Sequence, residues 1–193
     1  MRNHVLHGAL AGAFVGACTL LPVSASAGWF GLFESQPNQY SRGATLISFP
    51  VPVAPGTIIV SFADRKLYFV LPGAQAISYP VGAPKEEARW SGVLRVTAKK
   101  VNPTWTPTAD MRRENPSLPA HVAGGDPRNP LGPRAMYLGN SMYRIHGTDA
   151  PQTVGQEVSH GCIRMYNLDV IDLYQRVPIG TKVIVTWQSF TYS

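Results

Sequence analysis

The sequence Met-Tyr-Arg-Ile-His-Gly-Thr-Asp-Ala-Pro-Gln-Thr-Val-Gly-Gln-Glu-Val-Ser-His-Gly-Cys-Ile-Arg-Met-Tyr-Asn, residues 142–167, decides the fold and contains the candidate chemistry. His146 ends a short run in which apolar residues alternate with polar ones, which predicts a strand. Cys162 follows a Ser-His-Gly tripeptide. A thiol and an imidazole are sufficient for nucleophilic catalysis, so the two residues are the first candidates for an active site.

The order of residues around Cys162 also suits acyl chemistry. A glycine at position 161 lets the backbone approach a substrate closely. The amide N–H groups of His160, Gly161 and Cys162 can point to one place and stabilise an oxyanion. The His146 imidazole can take the thiol proton or form a thiolate–imidazolium pair in advance, and the sequence leaves both alternatives open. The Gly147 carbonyl or the Ser159 side chain would orient the imidazole ring.

The residues on either side predict a mainly β domain. Short runs rich in β-branched and apolar residues, separated by turn residues, predict strands at 57–62, 66–71, 76–81, 93–98, 135–138, 142–145 and 181–187. Apolar residues at helical spacing predict one short helix that begins at Asn167 or Asp169 and runs to Val177. Together they predict a β-sandwich-like domain with its helix just after the cysteine.

Residues 100–133 break this pattern. The segment contains seven prolines and little periodicity. A loop of this length in a compact domain is either a functional cover or a flexible insertion. Its apolar residues Trp105, Leu118, Val122 and Leu131 favour a packed cover over the site.

The first 55 residues predict an exported protein. Arg2, an apolar stretch and the small-residue site Ala25-Ser26-Ala27 are typical of a signal peptide at residues 1–27. Residues 28–55 are rich in Pro, Gly and Ser and predict a linker, followed by a catalytic domain at 56–193. A retained membrane helix and a lipid anchor on Cys18 are the weaker alternatives. If the leader is removed, Cys162 is the one cysteine left, and no internal disulfide can form.

Composition restricts the partners. The formal net charge is +6, and loss of Arg2 leaves about +5. No basic run with interleaved aromatic residues indicates nucleic acid, whereas a modestly positive surface suits an anionic polymer such as a bacterial wall. A zinc site of His146, His160 and Cys162 is a competing interpretation, but no His-Glu-x-x-His or paired Cys-x-x-Cys supports it. We therefore expect neither metal nor cofactor. The usual signatures of serine acyl transfer are also absent from the sequence.

The motifs resemble those of one enzyme family. Ile-His-Gly-Thr at 145–148 and Ser-His-Gly-Cys-Ile-Arg-Met at 159–165 are similar to the signature of the L,D-transpeptidases of bacterial walls, the YkuD or ErfK type. The resemblance extends from about residue 57 to 187 and includes Asn-Pro-Leu-Gly at 129–132 and Val-Pro-Ile-Gly-Thr at 177–181. Two features depart from the commonest pattern: Arg164 stands where many members have Asn, and Trp-Ser-Gly at 90–92 replaces a Thr-Pro-x-Gly motif.

The resemblance implies a mechanism and partners. A peptidoglycan stem peptide would acylate Cys162, with His146 as base and the Gly147 carbonyl as its orienter. The thioester would pass to an amine of a neighbouring stem or of an envelope protein, or to water in a carboxypeptidase. Carbapenem-type β-lactams would acylate the same sulfur. A non-catalytic wall-binding module remains the alternative from another class.

Each of the other candidate residues has two possible interpretations, one functional and one structural. Arg164 would bind a substrate carboxylate through its planar fork, or form a structural salt bridge. His160 would donate to the oxyanion or shape the turn. Tyr143 would line the pocket or pack against its neighbours.

Overall fold

The computed structural model describes residues 43–191, and the predicted signal peptide and Cys18 lie outside this range. The described chain is mainly β. Its helices are α1 (Ala109–Glu114) and α2 (Asn167–Arg176). Its strands are β1 (Thr45–Ser48), β2 (Ile58–Ser61), β3 (Lys66–Leu71), β4 (Gln75–Pro80), β5 (Ala83–Pro84), β6 (Gly92–Val101), β7 (Arg134–Leu138), β8 (Arg144–His146), β9 (Glu157–Ser159), β10 (Ile163–Arg164) and β11 (Lys182–Thr186).

Nine of these strands form one curled sheet, in the order β1-β4-β3-β2-β11-β6-β7-β8-β10, and β5 pairs with β9 separately. The ten-residue β6 joins the two halves, because residues 92–95 pair with β11 and residues 96–101 pair with β7. The register shifts between Val96 and Ala98, and such a bulge bends a strand and increases its twist. The predicted mainly β, sandwich-like architecture is confirmed, and its two layers are the halves of this sheet.

The main core lies between the two halves and helix α2. Alternate residues of each strand point inward, as the two-residue repeat of a strand requires. This cluster includes Ile58 and Val60 of β2, Met136 and Leu138 of β7, and Ile145 of β8, and each of these side chains is 0% exposed. Leu173 of α2 completes it from the helix side. The helix therefore packs against the strands that precede the candidate site.

The segment before β2 differs from the predicted linker. Residues 45–48 form β1, which pairs with β4 in antiparallel register. Phe49 is buried and stacks on Tyr68 with ring centroids 4.7 Å apart. These residues cover the outer face of β3, which leaves Tyr68 1% exposed. The sequence hid this role because a four-residue edge strand beside several prolines has the composition of a linker.

The long segment after β6 contains more structure than the sequence predicted. Trp105 and Val122 form an isolated bridge, and α1 lies between them. The Thr108 hydroxyl caps α1 by accepting a hydrogen bond from the Met111 N–H at 3.2 Å. We call the segment from Asn102 to Pro133 the covering loop. The bridge between Trp105 and Val122 holds the two ends of this loop together, whereas α1 has no buried residue. Between residues 43 and 191, neither helix has the length and apolar composition needed to cross a bilayer.

A polar cluster fixes α2 to the sheet. The Tyr79 hydroxyl donates to Asp172 Oδ2 at 2.5 Å, and Arg176 donates to both Asp172 oxygens at 3.0 and 2.9 Å. Burial and the Asp172 carboxylate raise the pKa of Tyr79, so its hydroxyl stays protonated and donates. Asp172 is 7% exposed, so water cannot readily take its place as the hydrogen-bond acceptor of Tyr79 and Arg176.

We expect Asp172→Ala to lower the free energy of unfolding by about 3 kcal/mol, because it leaves the Tyr79 hydroxyl and the Arg176 guanidinium without this acceptor. Asp110→Ala is the matched control, since Asp110 pairs with Arg113 at the surface with 68% of its side chain exposed. Asp110→Ala should change the free energy of unfolding by less than about 1 kcal/mol. Urea unfolding measures both, and equal losses would contradict the assignment.

Candidate active site

The candidate site is built on the pairing of β8 with β10. These two short strands run parallel, with Ile145 opposite Ile163 and His146 opposite Arg164. The Met165 N–H extends the pairing by donating to the His146 carbonyl at 2.8 Å. Paired residues in neighbouring strands share a face, and the face repeats every second residue. His146, Arg164, Arg144 and Cys162, which directly precedes β10, therefore belong to one face.

The His146 ring has a fixed tautomer. The residue is 4% exposed, and its Nδ1 lies 2.6 Å from the Gly147 carbonyl oxygen. A carbonyl can only accept, so Nδ1 carries the proton and Nε2 keeps its lone pair. The Gly147 carbonyl is thus the group that holds the ring in this structure. Ser159 is not the orienter, because its hydroxyl donates to the Cys162 carbonyl at 2.6 Å.

Asn167, the first residue of α2, supports this arrangement. Its Oδ1 accepts a hydrogen bond from the Thr148 N–H at 2.8 Å. A Cβ at position 147 would collide with the same Oδ1 atom, so only glycine fits there. The turn that presents the Gly147 carbonyl to His146 is thus held by the helix that follows the cysteine. The sequence suggested Asn167 only as a helix cap.

The electrostatic surroundings keep both reactive side chains neutral. Burial and, to a smaller extent, the charge of Arg164 lower the pKa of His146 to about 4, although the carbonyls of Gly147 and Pro130 act in the opposite direction. Burial raises the pKa of the Cys162 thiol, against a smaller opposing effect of Arg144. Of the two protonation states that the sequence left open, the neutral pair is the one favoured by these surroundings.

The thiol does not contact the imidazole in this state. Cys162 Sγ lies 3.7 Å from the Met142 carbonyl oxygen. Across residues 43–191 the thiol has no hydrogen bond to the His146 ring. Transfer of the proton to Nε2 therefore requires the sulfur to turn away from Met142 and toward His146.

An aromatic pair supports the turn before the cysteine. Gly161 has φ +112°, a conformation that side chains disfavour, and a Cβ there would lie 2.5 Å from the Tyr143 ring. Trp90 stacks on Tyr143 with centroids 4.2 Å apart and planes 4° apart. The Trp90 indole N–H donates to the Gly161 carbonyl oxygen at 2.8 Å. Tyr143 is therefore a packing residue of the site, and Trp90 is a contact that sequence reasoning missed.

The Trp90 contact also fixes the direction of an amide. In a trans peptide unit the carbonyl and the following N–H point in opposite directions. The bond from Trp90 to the Gly161 carbonyl therefore aims the Cys162 N–H away from the indole. Within the described chain neither the Cys162 nor the His160 N–H has an acceptor, whereas the Gly161 N–H donates to Ser159 Oγ at 3.3 Å. Two of the three amides that the sequence predicted for an oxyanion are thus free to bind one, and Gly161 and Ser159 shape the turn instead.

His160 faces the covering loop. Its Nε2 lies 2.9 Å from a carboxylate oxygen of Glu114, at the end of α1, and Lys85 Nζ lies 3.9 Å from the other oxygen. The His160 side chain therefore fastens the loop beside the cysteine and does not point its ring at an oxyanion. Both residues are accessible to water, so this pair is weak.

The base of the covering loop is anchored by Asn129. The residue is 1% exposed, and its amide nitrogen donates to the carbonyls of Pro103, Val122 and Ala123 at 2.8, 3.3 and 2.9 Å. Its Oδ1 accepts from the Leu131 N–H at 2.9 Å. The amide thus places Pro130, whose carbonyl interacts with His146. A composition rich in proline does not predict a buried asparagine with four hydrogen bonds, although the Asn-Pro-Leu-Gly motif marks the position of Asn129.

Arg164 makes no salt bridge with any residue that the structure describes. Its Nη1 donates to Thr153 Oγ1 at 2.8 Å. No carboxylate of residues 43–191 lies within 4.0 Å of its guanidinium. The structural alternative for Arg164 is therefore not observed. In the described part of the chain, His146, His160 and Cys162 are not grouped in a way that could hold a metal ion.

Residues 55–185 match the L,D-transpeptidase catalytic domain, YkuD. The chain belongs to this family. It is 38% identical over 154 residues to the probable L,D-transpeptidase YbiS of Escherichia coli K12, which covers 74% of this chain and 50% of YbiS. It is 41% identical over 144 residues to the probable L,D-transpeptidase ErfK/SrfK of the same organism, covering 70% and 46%. The chain spans about half the length of these relatives.

The family fold is also seen in solved structures. One is an L,D-transpeptidase 3 from Mycobacterium tuberculosis in complex with a faropenem-derived adduct. It superimposes with a TM-score of 0.53 at 17% identity, covering 67% of this chain and 59% of that one. At this identity the comparison concerns the fold, which agrees with the curled sheet described above.

We expect alkylation of Cys162 by iodoacetamide to rise about tenfold per pH unit between pH 6 and 8, because a neutral thiol with a raised pKa releases its proton only as pH increases. Peptide mass spectrometry reads the reaction at Cys162 separately from Cys18. The urea-unfolded chain is the control and should react faster at each pH. A rate independent of pH over this range would instead show a thiolate–imidazolium pair formed in advance.

Proposed function

We propose that this protein is a peptidoglycan L,D-transpeptidase that forms a thioester on Cys162 and transfers the acyl group to an amine. The observation that carries the proposal is the placement of Cys162 and His146 on one face of adjacent strands, with the His146 tautomer fixed as a base. Family membership supports the same chemistry.

The first step follows from this geometry. The thiol proton passes to His146 Nε2 as sulfur attacks the carbonyl carbon of a stem peptide. The carbon–nitrogen bond then breaks, and the leaving amine takes the proton back from Nε2. A thioester and a free amino acid or peptide result. Because His146 is buried and neutral, it can accept this proton without first losing one.

In the second step an acceptor attacks the thioester, and His146 again takes and returns a proton. An amine of a neighbouring stem or of an envelope protein attacks the thioester and gives its proton to His146, and sulfur leaves to recover the thiol with that proton. Water in place of the amine would give a carboxypeptidase. The covering loop, fastened beside the cysteine through Glu114 and His160, limits access of water and so favours transfer.

The negative oxygen formed in each step needs donors. The free Cys162 N–H is the main candidate, with the His160 N–H as a second. Trp90 acts through the peptide unit between Gly161 and Cys162, since it holds the carbonyl at the opposite side of that unit. It is a positioning residue and does not itself touch the substrate.

Trp90→Phe tests this role, because it keeps a ring to stack on Tyr143 and removes the indole donor. We expect acylation of Cys162 to slow about tenfold at saturating donor, the equivalent of about one hydrogen bond. Trp187→Phe is the matched control, since it removes an indole N–H that donates to the Trp90 carbonyl at 3.2 Å. Equal rates for Trp90→Phe and wild type would exclude the positioning role.

The place of action follows from the substrate. Peptidoglycan lies outside the cytoplasmic membrane, and residues 1–27 have the sequence of a signal peptide. We therefore infer export to the periplasm or cell envelope. Lipid attachment at Cys18 is the less favoured way of keeping the exported protein in the cell envelope.

β-Lactams give a direct assay of the nucleophile. The mycobacterial structure carries a faropenem-derived adduct, and another solved L,D-transpeptidase is in complex with imipenem, so we infer that carbapenems acylate Cys162. Intact-protein mass after incubation with imipenem should increase by one adduct. Cys162→Ala should show none, and His146→Ala should react more than about 100-fold more slowly. The exposed His121→Ala is the control and should match wild type.

The proposed reaction itself is tested with a defined tetrapeptide stem, with and without an amine acceptor, followed by mass analysis of the products. A cross-linked product that requires both Cys162 and the amine is expected. Acid product alone would indicate a carboxypeptidase. A correctly folded protein that forms neither an acyl-enzyme nor a β-lactam adduct would indicate the non-catalytic wall-binding module.

A further inference from the structure

We propose that residues 129–132 of the covering loop, here called the loop base, act together with Asn167 to position His146. The two side chains that do this are Asn129 and Asn167, which we assign as positioning residues. Together they keep the Gly147 carbonyl against the His146 ring, so that Nε2 stays free to take the thiol proton. The proposal rests on the proposed function, because it adds two residues to the proton transfer assigned there.

The Oδ1 atom of Asn167 lies where three segments of the chain meet. It accepts the hydrogen bond of the Thr148 N–H at 2.8 Å. A Cβ on Gly147 would collide with this atom, and a Cβ on Gly132 would lie 2.5 Å from it. Helix α2, the turn at residues 147–148 and the loop base therefore all contact one acceptor atom.

The loop base also packs directly on the turn that orients the ring. A Cβ on Gly132 would lie 2.6 Å from the Thr148 nitrogen and 2.9 Å from the Gly147 carbonyl carbon, closer than a side chain can approach. Residue 132 also has φ +61°, which glycine adopts readily. The Pro130 carbonyl, in the same segment, interacts with His146. The loop base thus contacts both the orienting turn and the base itself.

Asn129 decides where the loop base lies. Besides the bonds of its side-chain nitrogen, its Oδ1 accepts from the Leu131 N–H at 2.9 Å, and its carbonyl accepts from the Gly132 N–H at 3.0 Å. Its own N–H donates to the Asp126 carbonyl at 2.9 Å. One buried asparagine therefore fixes the whole loop base, and through Gly132 it limits the movement of the turn that Asn167 holds from α2.

The position of this turn matters because a neutral imidazole can carry its proton on either ring nitrogen. The Gly147 carbonyl lies 2.6 Å from Nδ1 and so selects the tautomer in which Nε2 has a free lone pair. If the turn relaxed, part of the protein would carry the proton on Nε2. A base in that tautomer cannot take the thiol proton, and a catalytic histidine held in the wrong tautomer loses most of its activity.

The junction is open enough for its side chains to be changed. Asn129, Gly132, Thr148 and Asn167 line one cavity of about 200 Å³. Its lining is polar, so water can occupy space left by a shortened side chain. We therefore expect Asn167→Ala to remain folded while the Thr148 N–H loses the acceptor that fixes it.

The test measures the tautomer and the rate in the same variant. Nitrogen-15 NMR of the His146 ring, identified by comparison with His146→Ala, should show the single Nδ1-protonated form in wild type at pH 7. In Asn167→Ala it should show a mixture of both tautomers. With a tetrapeptide stem as donor, we expect kcat of acylation to fall about tenfold and KM to change less than about twofold, since the lost hydrogen bond affects the base and not donor binding.

Two variants make this result specific to the Asn167 oxygen. Asn167→Asp keeps an oxygen at this position, and an acidic group in the first turn of a helix is favourable, so it should keep one tautomer and a rate within about threefold of wild type. Asn115→Ala is the matched control. Asn115 is an exposed residue of the same loop whose Oδ1 accepts from the Ser117 N–H at 3.1 Å, and its loss should leave tautomer and rate unchanged.

A double variant tests whether the loop base and Asn167 act as one unit. Asn129→Ala should lower kcat and mix the tautomers in the same way as Asn167→Ala. Because both changes release the same carbonyl, the double variant should be about as slow as the slower single variant. A loss equal to the product of the two single losses would show independent effects and overturn the joint role. Thermal unfolding checks that each variant is folded, and the Asn167 variants decide the assignment if Asn129→Ala is not.

The outcomes separate this proposal from the proposed function. A single tautomer in Asn167→Ala, or an equal loss of rate in Asn167→Asp, would overturn the positioning role and leave thioester chemistry intact. If wild type forms no acyl-enzyme with the stem peptide, the proposed function fails. The tautomer measurement needs no substrate, so it would still decide whether Asn167 positions the His146 ring.

Discussion

The parallel pairing of β8 with β10 is the constraint on which the site depends. It covers only two residue pairs, yet its register decides which side chains share a face with Cys162. A shift by one residue would turn His146 to the opposite face and bring Ile145 to the sulfur. The pairing is secured from outside: the Arg164 backbone exchanges hydrogen bonds with Gly82 at 2.8 and 3.2 Å, and α2 packs behind it. Much of the core therefore serves to hold a very short ladder in register.

Burial and charge act together on the chemistry. A partly buried thiol and a buried imidazole next to two arginines both favour their neutral forms, which protects the cysteine from reactions that require a thiolate. Reactivity then depends on what the substrate brings. A donor that supplies a carbonyl to the free Cys162 N–H would give this amide the acceptor that it lacks within the described chain. Such dependence would favour the correct donor over other thiol reagents.

The covering loop combines a firm base with a weak tip. Asn129 fixes the base through four hydrogen bonds, whereas the exposed contact of Glu114 with His160 holds the tip. Loops that open for substrate and then exclude water need this distribution of stability, because local opening follows the weakest contacts. Under the proposed function, this distribution would let the loop open for substrate and then shield the thioester from water.

The sequence by itself determined most of the longer strands, the helix after the cysteine and the candidate reactive residues. Strand β3 was predicted with the bounds that the structure shows, because alternating apolar residues bounded by turn residues have one interpretation. The position of α2 followed from its helical spacing, and Cys162, His146 and the Gly147 carbonyl followed from their order in the chain. These features depend on neighbours in sequence, which periodicity and motif spacing report directly.

Only the tertiary structure decided which distant groups meet. The Trp90 indole reaches Gly161 across 71 residues, and Asn129 and Glu114 act through contacts that no local pattern encodes. The strand at 45–48 and the helix at 109–114 were missed because proline-rich surroundings conceal short elements stabilised by packing or a cap. The protonation state of the thiol and the tautomer of His146 depend on burial and on partners that the fold brings in. A linear sequence does not state these three-dimensional surroundings.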